Sequence, residues 1–292
     1  MPFVVLLLLA AVAGFSVFAA ALRYPTAAGA APSASDAAGR ELGREAVRHP
    51  WLGDLLRSRL DPGTATGLAM TLALGAAVIG GLLLGLLAFL MRTNDRLVDL
   101  DQSVGQWGAD HATHLSTQLL QLVTDLASTP MVIAVIVVVT ILEMIRLPNK
   151  WILPFLITVV VGEVVIVNTV KQLLHRVRPT FNPIAAHLGP SFPSGHSATA
   201  AALYAAVALV LARRRSPRTR ALLAGFAAAI AVAVAISRVM LGVHWLSDVI
   251  AGLAFGWAWF AVCSIAFGGR FLNFAAPVKK ATRVAEHATG VP

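Results

Sequence analysis

Long apolar runs with almost no charge are the feature that most limits how this chain can fold. A helix needs roughly 20 apolar residues to cross the hydrocarbon core of a bilayer, which is about 30 Å thick. Seven runs reach or approach that length, at about residues 3–22, 66–91, 126–145, 152–170, 194–212, 221–238 and 249–268. Only 13% of the residues are charged, against about a quarter in soluble domains. The sequence therefore predicts an all-α, multi-span membrane helix bundle.

The basic residues between the runs predict how the chain is oriented. Segment 213–220, RRRSPRTR, contains five arginines, and short loops rich in Lys and Arg stay on the cytoplasmic side of a membrane. Alternating the runs outward from this loop places segments 23–65, 146–150 and 269–292 on the same side. That side then holds 17 of the 23 Lys and Arg residues. The net charge of +9 thus reports orientation and does not indicate nucleic-acid binding.

These assignments divide the chain into four parts. Residues 1–22 are predicted to be an extra N-terminal transmembrane helix, 23–65 a cytoplasmic linker, 66–268 a six-helix membrane core, and 269–292 a cytoplasmic tail. The small residues AAGAAPSA after the first run leave open a cleaved signal peptide, although the chain begins Met-Pro-Phe-Val without a basic region. A single cysteine excludes an intramolecular disulfide.

Segment 98–126 is not predicted to be a span, because acidic residues interrupt it. Its leucines recur at helical spacing, and they are Leu115, Leu119, Leu122 and Leu126. This pattern predicts an amphipathic helix lying at the outer membrane interface. Such a helix either packs against the bundle or forms the lip of a path by which lipid enters it.

Three polar clusters fall at the outer ends of predicted spans. They are Lys171 with Arg178-Pro179, then Pro193-Ser194-Gly195-His196, and then Ser237-Arg238 with His244 and Asp248. The alternation of spans places all three clusters at one membrane face. We therefore expect them to converge there.

The basic and small residues of these clusters suit a phosphate group. Lys171, Arg178 and Arg238 carry positive charge, and the planar fork of arginine matches phosphate oxygens. Ser194 and Gly195 would form the first turn of a helix, where backbone N–H groups and the helix dipole favour an anion. Gly195 has no Cβ, so the backbone there can approach a ligand closely.

The histidines add the chemistry. His244 and Asp248 are four residues apart, so that on a helix the carboxylate would lie beside the imidazole and select its tautomer. A histidine supported in this way can act as a nucleophile or a base. His196, from another cluster, could protonate a leaving oxygen as a general acid. Together these residues predict a phosphoryl-transfer site that uses no metal ligand set and no cofactor.

The order and spacing of the three clusters resemble the signature motifs of the type 2 phosphatidic acid phosphatase family. That family contains integral membrane lipid phosphatases and shares its motifs with vanadium haloperoxidases and some soluble acid phosphatases. The resemblance covers roughly residues 66–268. It implies that His244 attacks phosphorus to form a phosphohistidine, that Asp248 holds His244, and that His196 donates a proton to the departing group. It also implies a set of phosphate-holding residues, namely Lys171, Arg178, Ser194, Gly195 and Arg238.

The expected function is hydrolysis of a lipid phosphate or diphosphate, without a metal, at the extracytoplasmic face of the cell membrane. Candidate substrates are a polyprenyl diphosphate, phosphatidate and phosphatidylglycerol phosphate, and the expected partners are this lipid and the surrounding membrane lipids. A lipid phosphotransferase with the same site, a non-catalytic transporter of phosphorylated lipid and a haloperoxidase-like enzyme remain as alternatives. His175 and Arg176 lie inside the first motif but have no role in it, and they stay unassigned.

Polar residues outside the motifs allow further interpretations. His111 and His114, beside Asp110, are spaced like metal ligands, but no third ligand of matching spacing is evident in the sequence. Glu163 and Asn168 lie within an apolar run, where polar side chains are costly to bury without a partner. Either both face the bundle interior and support the site from below, or Glu163 is protonated.

Overall fold

The computed structural model describes residues 2–23, 80–82, 85, 86, 89, 90, 93–182 and 189–271. Within these ranges every regular element is helical. Most of the predicted span 66–91, the linker beyond Arg23 and the tail beyond residue 271 lie outside the described residues. The proposed division into four parts therefore stays a prediction.

Eight α-helices are numbered here in chain order within the described ranges. They are α1 (Pro2–Arg23), α2 (Asp95–Asp110), α3 (His114–Thr124), α4 (Thr129–Arg146), α5 (Ile152–Leu174), α6 (Gly195–Leu211), α7 (Pro217–Met240) and α8 (Leu246–Phe271). A short 3-10 turn follows α3. Helices α1, α4, α5, α7 and α8 are long and apolar enough to cross a membrane. Helix α6, with 17 residues, is a shorter apolar helix.

Helix α5 extends further than its apolar run predicts. The run ends at residue 170, whereas α5 continues to Leu174, so Lys171 lies in the last turn rather than after the span. The helix then stops at His175, which adopts the left-handed conformation (φ 47°). A lysine can complete the end of a membrane helix because its long stem lets the ammonium reach a polar region.

Helix α6 lies at the centre of the bundle and packs against α5, α7 and α8. Many of its residues are alanines that are fully buried, among them Ala200, Ala201, Ala202 and Ala206. Small side chains let neighbouring helices approach closely, as is common in membrane bundles. Helix α8 makes the closest approach, where a Cβ on Gly256 would lie 2.3 Å from the backbone oxygen of Ala198 and one on Gly252 would lie 2.5 Å from that of Ser194. This contact brings the second and third polar clusters together.

Helix α1 packs against α7 through a pair of glycines. A Cβ on Gly225 would lie 2.6 Å from the backbone oxygen of Gly14, so the two helices touch through their backbones. Near its start α1 buries Leu6 in a cluster with Leu120 and Val239. The first turn of α1 therefore lies beside the last turn of α7, and the two helices run antiparallel.

The segment after residue 94 forms two helices instead of the single predicted one. The chain turns after Asp110, and a capping box between Thr113 and Ser116 starts α3. This start sets the register, and α3 faces the bundle with Ser116, Leu120 and Thr124. Leu115 and Leu122, two members of the predicted leucine stripe, are about two-thirds exposed (65% and 66%), and the position of this stripe at the membrane interface stays a prediction. The contact between α3 and α7 supports the packing alternative.

The two basic loops meet at one end of the bundle. Arg146 donates to the backbone oxygens of Leu211 and Arg213, and Arg213 donates to that of Leu147. Glu143 is buried between the two arginines and forms an ion pair with each. Segments 146–150 and 213–220 thus share one end, opposite the polar clusters, as the alternation of spans predicts. Which membrane side this end faces stays a prediction.

Candidate active site

Three loops at the other end of the bundle are joined by hydrogen bonds. Asn182 Nδ2 donates to the backbone oxygen of Leu241 (3.0 Å), and Trp245 Nε1 donates to that of Val177 (2.9 Å). The backbone N–H of Ser191 donates to the backbone oxygen of Arg176 (2.8 Å). Because these bonds connect the loops that carry the three motifs, the motif side chains are held in one place.

The end of α7 directs the third motif into this region. Gly242 has a φ of 65°, and its N–H bonds to the oxygen of Val239 while that of Val243 bonds to the oxygen of Arg238. This is the Schellman arrangement, in which glycine is favoured because other residues are strained at positive φ. The chain therefore turns sharply, and His244 follows two residues later.

His244 is almost completely buried, with 2% of its surface exposed. Its Nδ1 lies 3.4 Å from Asp248 Oδ2, at the long end of hydrogen-bond distances, and its Nε2 lies 3.1 Å from Arg178 Nη1. A guanidinium only donates, so Nε2 must accept and the ring proton must reside on Nδ1, facing Asp248. Burial lowers the pKa of His244 to about 4. The ring is thus neutral near pH 7 and has a lone pair on Nε2.

Arg178 is tied to the protein by its other donors. Its Nε donates to the backbone oxygen of Gly189 (2.7 Å) and its Nη1 to that of Val243 (2.6 Å). Burial lowers the pKa of Arg178, and the negative charge of Asp248 acts in the opposite direction. The sequence predicts a phosphate ligand here; in this structure the guanidinium faces His244 Nε2 and also holds two loops together.

Arg238 approaches the same region from α7. Its Nη1 donates to Thr124 Oγ1 at the end of α3 (3.2 Å), and the charges acting on it include those of Arg178 and Asp125. Its Nε is buried and has no hydrogen-bond partner among the described residues. A buried donor in this state can bind an anionic oxygen.

The second motif faces Lys171. A Cβ on Gly195 would lie 3.9 Å from Lys171 Nζ, with no closer atom than this and Val167 Cγ1 among its neighbours. Ser194 precedes the first turn of α6, and its hydroxyl accepts from Ser197 Oγ (2.9 Å) instead of capping the helix. The backbone N–H of Ser194 donates to the backbone oxygen of Asp248 (3.0 Å). The start of α6 is thus fixed between the first and third motifs.

His196 lies in the first turn of α6, among the basic residues. The cations that act on it are Arg238, Lys171 and Arg178. The structure therefore brings all eight predicted site residues to one end of the bundle. Hydrogen bonds join the side chains of Arg178, His244 and Asp248, and a backbone hydrogen bond joins Ser194 to Asp248.

Two residues at this site have no predicted role. Arg176 Nη1 donates to Asp248 Oδ1 (2.5 Å), and its Nη2 donates to Asp101 Oδ2 (2.8 Å). The position of Arg176 inside the first motif is a signal in the sequence, but no spacing connects it with Asp101 on α2. The contact becomes visible only when the helices are packed.

The remaining polar residues have separate environments. Glu163 is fully buried, and its Oε2 accepts from Thr199 Oγ1 (2.9 Å), so the prediction of an interior position is confirmed for Glu163. The same prediction is wrong for Asn168, which lies on the exposed side of α5. His111 Nδ1 is paired with the backbone oxygen of Trp107. Within the described part of the chain, no three His, Cys, Asp or Glu side chains are grouped to hold a metal.

Comparison with known proteins identifies this region. The model of the PAP2 superfamily matches residues 151–271, which include all three motifs. Residues 151–271 belong to the PAP2 superfamily. The resemblance to the type 2 phosphatidic acid phosphatases is thereby confirmed.

Individual PAP2 relatives show how far the similarity extends. A lipid A 1-phosphatase of Rhizobium etli is 40% identical over 123 residues, which are 39% of this chain and 49% of that protein. Phosphatidylglycerophosphatase B of Bacillus subtilis is 40% identical over 91 residues, covering 30% of this chain and 45% of that protein. The chain thus spans about half the length of the curated relatives that it matches.

A crystal structure of a transmembrane PAP2-type phosphatidylglycerolphosphate phosphatase from Bacillus subtilis has a similar fold. Its TM-score is 0.59 with 27% sequence identity, and the match covers 64% of this chain and 93% of that one. With the five membrane-length helices, this likeness confirms the predicted multi-span membrane helix bundle.

Proposed function

We propose that this protein is a membrane phosphatase that hydrolyses a lipid phosphate or diphosphate at the extracytoplasmic face of the cell membrane. The observation that carries the proposal is the state of His244. Asp248 lies on the Nδ1 side of its neutral ring, and the Nε2 lone pair faces a cluster of cations. A neutral imidazole aimed at a binding site for anions is suited to attack phosphorus.

The phosphate would bind between the basic side chains. Lys171 and Gly195 bound one side of the space, and the unpaired Nε of Arg238 supplies a donor on another. Backbone N–H groups in the first turn of α6 add partial positive charge. These groups would neutralise the charge that develops on the phosphoryl oxygens, which is the main requirement for catalysing phosphoryl transfer.

The first chemical step would form a bond between His244 Nε2 and phosphorus while the bond to the leaving oxygen breaks. For this step Arg178 must release Nε2 and donate to a phosphoryl oxygen instead. The proton on Nδ1 stays with His244, and the carboxylate of Asp248 stabilises the positive charge that the ring acquires. The negative charge of the bound phosphate would offset the cations around His196, so that His196 carries the proton that it gives to the departing oxygen.

The second step would return the enzyme to its starting state. His196, now neutral, would take a proton from a water molecule as that water attacks the phosphohistidine. The bond between phosphorus and Nε2 breaks, inorganic phosphate leaves, and the lone pair is restored. The cations of the site supply the charge stabilisation in both steps, so the scheme uses no metal ion.

The relatives and the bilayer setting support a lipid substrate. The names of the relatives point to a phosphorylated saccharolipid and a phosphorylated glycerolipid. We therefore add lipid A to the candidates predicted from the sequence, which are phosphatidate, phosphatidylglycerol phosphate and polyprenyl diphosphate. All share an anionic phosphate at the membrane surface.

Phosphate release by the purified full-length protein in detergent tests the proposal. The four lipids are offered separately with EDTA present, and we expect release from at least one of them. His244→Ala should abolish it, whereas His111→Ala, which changes an exposed histidine at the same end, should not. Full activity of His244→Ala contradicts the mechanism, and complete inhibition by EDTA contradicts its metal-free form. If the phosphate appears on an acceptor lipid and not as free phosphate, the protein is a phosphotransferase.

A further inference from the structure

We infer that Asp101 and Arg176 are positioning residues that act through Asp248 to keep His244 in its reactive tautomer. We call Asp101, Arg176 and Asp248 the carboxylate–arginine network. The effect of this network on catalysis rests on the function proposed above, but the contacts of the network are features of the described structure.

Arg176 fixes the orientation of the Asp248 carboxylate. It occupies Oδ1 through Nη1 (2.5 Å), so that Oδ2 is left for the backbone N–H of Trp245 (3.0 Å) and for His244 Nδ1 (3.4 Å). The guanidinium also lies over the ring of Trp245, 5.6 Å from its centre. A carboxylate held at both oxygens cannot rotate away from the imidazole.

Asp101 connects this arrangement to a distant part of the chain. It is 1% exposed, and its Oδ2 accepts from Arg176 Nη2 (2.8 Å). The same carboxylate accepts from the backbone N–H of Ser247 (2.9 Å) and from its hydroxyl (2.5 Å). Asp101 therefore caps the first turn of α8, the helix that carries Asp248, in the way that a side-chain acceptor satisfies free N–H groups at a helix start.

The charges of the network explain why both partners matter to His244. Two buried carboxylates share one guanidinium, and Asp248 also faces the imidazole. Without Arg176, only Lys171 and Arg178 would remain as cations acting on Asp248, so protonation of the adjacent His244 would be favoured and the pKa of the ring would rise. Protonation places hydrogen on Nε2 and removes the lone pair that attacks phosphorus. Arg176 thus keeps Asp248 ionised without requiring a charge on His244.

The contacts of Arg176 distinguish it from the neighbouring Arg178. Its Nη1 donates to Ser247 Oγ (2.7 Å) as well as to Asp248, and its Nη2 donates to Asp101. Arg178 instead faces the Nε2 atom of His244. Arg176 is accordingly on the Asp248 side of the imidazole and Arg178 on the side where phosphate would bind.

Kinetics of matched variants test the network. Arg176→Ala should lower kcat about 10- to 100-fold, the size found when a partner that orients a functional ligand is removed. KM and inhibition by inorganic phosphate should change less than about threefold. Asp101→Asn, which keeps the shape of the side chain, and Arg176→Lys should show smaller losses. Arg96→Ala and Asp99→Asn change exposed residues of α2 and should behave as wild type.

A variant that combines Asp101→Asn with Arg176→Ala tests whether Asp101 acts through Arg176. If Asp101 acts through Arg176, the Asp101→Asn, Arg176→Ala protein should be no slower than Arg176→Ala alone, because residues of one network are not additive. Additive losses overturn the inference, as does a wild-type kcat in Arg176→Ala. Weaker inhibition by phosphate with an unchanged kcat also overturns it, since Arg176 would then be a phosphate ligand.

Nitrogen NMR of protein with ¹⁵N-labelled histidine measures the tautomer and the titration of His244 without requiring turnover. His244 is assigned by the signals lost in His244→Asn. The wild type should show the tautomer protonated at Nδ1, and Arg176→Ala should titrate about one pH unit higher, with Asp248, Arg178 and Arg238 still facing the ring. If the tautomer and the titration of His244 are unchanged in Arg176→Ala, the inference is overturned whatever the kcat of that variant. If the wild type hydrolyses none of the lipids, the proposed function fails while this comparison still decides the network.

Discussion

His244 is neutral and in a defined tautomer because its neighbours come from separate parts of the chain. Arg178 donates to Nε2 from the loop after α5, and Asp248 faces Nδ1 from α8. Both contacts are made by side chains of the protein itself. The tautomer that the proposed mechanism requires of His244 is therefore set by side chains of the folded protein.

The protonation of His244 gives a prediction for pH. Burial lowers the pKa of His244 from 6.5 to about 4, against the opposing effect of Asp248 and with a further lowering by Arg178 and Arg238. The lone pair on Nε2 should thus be present above pH 4 and be lost as the pH falls through that value. We expect the His244 signals in ¹⁵N NMR to titrate near pH 4. A midpoint at or above 6.5 would contradict the buried environment described here.

At the scale of helices, the contact between α6 and α8 sets the distance between the second and third motifs. A Cβ on Gly252 would lie 2.5 Å from the oxygen of Ser194 and 3.0 Å from Ser197 Cβ. Backbone atoms cannot move aside as a flexible side chain can. Any side chain at position 252 must therefore push the start of α6 away from Asp248.

Gly252→Ala tests this contact. Overpacking at a tight site costs about 1–3 kcal/mol, so we expect a lower temperature of unfolding in detergent together with slower phosphate release. Ala254→Val enlarges an exposed residue of the same helix and should leave both quantities near the wild-type values. Wild-type stability and activity in Gly252→Ala would show that the two helices are not in close contact.

The helix ends were predictable to different degrees. Six of the seven apolar runs coincide within a few residues with described helices, of which five are long enough to cross a membrane. The motif at each helix end predicted that the eight site residues would converge. The end of α5 was not predictable, because Lys171 completes the last helical turn in spite of its charge. The register of α3 depends on the capping box at Thr113, and the leucine pattern alone does not indicate which face meets the bundle.

The role of Arg176 could not be deduced for a different reason. Its partner Asp101 is 75 residues away and lies on a helix outside the matched PAP2 segment. Local spacing carries no information about such a contact. Only the packing of α2 against the start of α8 brings the two side chains together.

At the scale of the whole molecule, the basic loops and the candidate site lie at opposite ends of the bundle. The loops contact each other through Arg146 and Arg213, and the motifs lie at the far ends of α5 and α7. If the positive-inside rule orients this protein, the site opens to the extracytoplasmic side. Lipid phosphate on the outer leaflet would then reach it directly.

Cysteine labelling in intact cells tests this orientation. In a Cys263→Ser background, which removes the buried native thiol, Ala112→Cys between α2 and α3 should react with a membrane-impermeant maleimide. Ser216→Cys in the basic loop should react only after the cells are permeabilised. The reverse pattern would place the site in the cytoplasm, and labelling of both positions from outside would contradict a bundle that spans the membrane between them.

The proposed mechanism requires that His244 become covalently bonded to phosphorus. To detect this bond, the protein is mixed with a lipid that carries ³²P in the phosphate to be released. The reaction is quenched rapidly without acid, and the ³²P bound to the protein is measured. We predict a label that is stable in alkali and labile in acid, that accumulates in His196→Ala because hydrolysis of the intermediate slows, and that disappears in His244→Ala. A protein that turns over but never carries this label, or that carries it equally in His244→Ala, would contradict a phosphohistidine intermediate at His244.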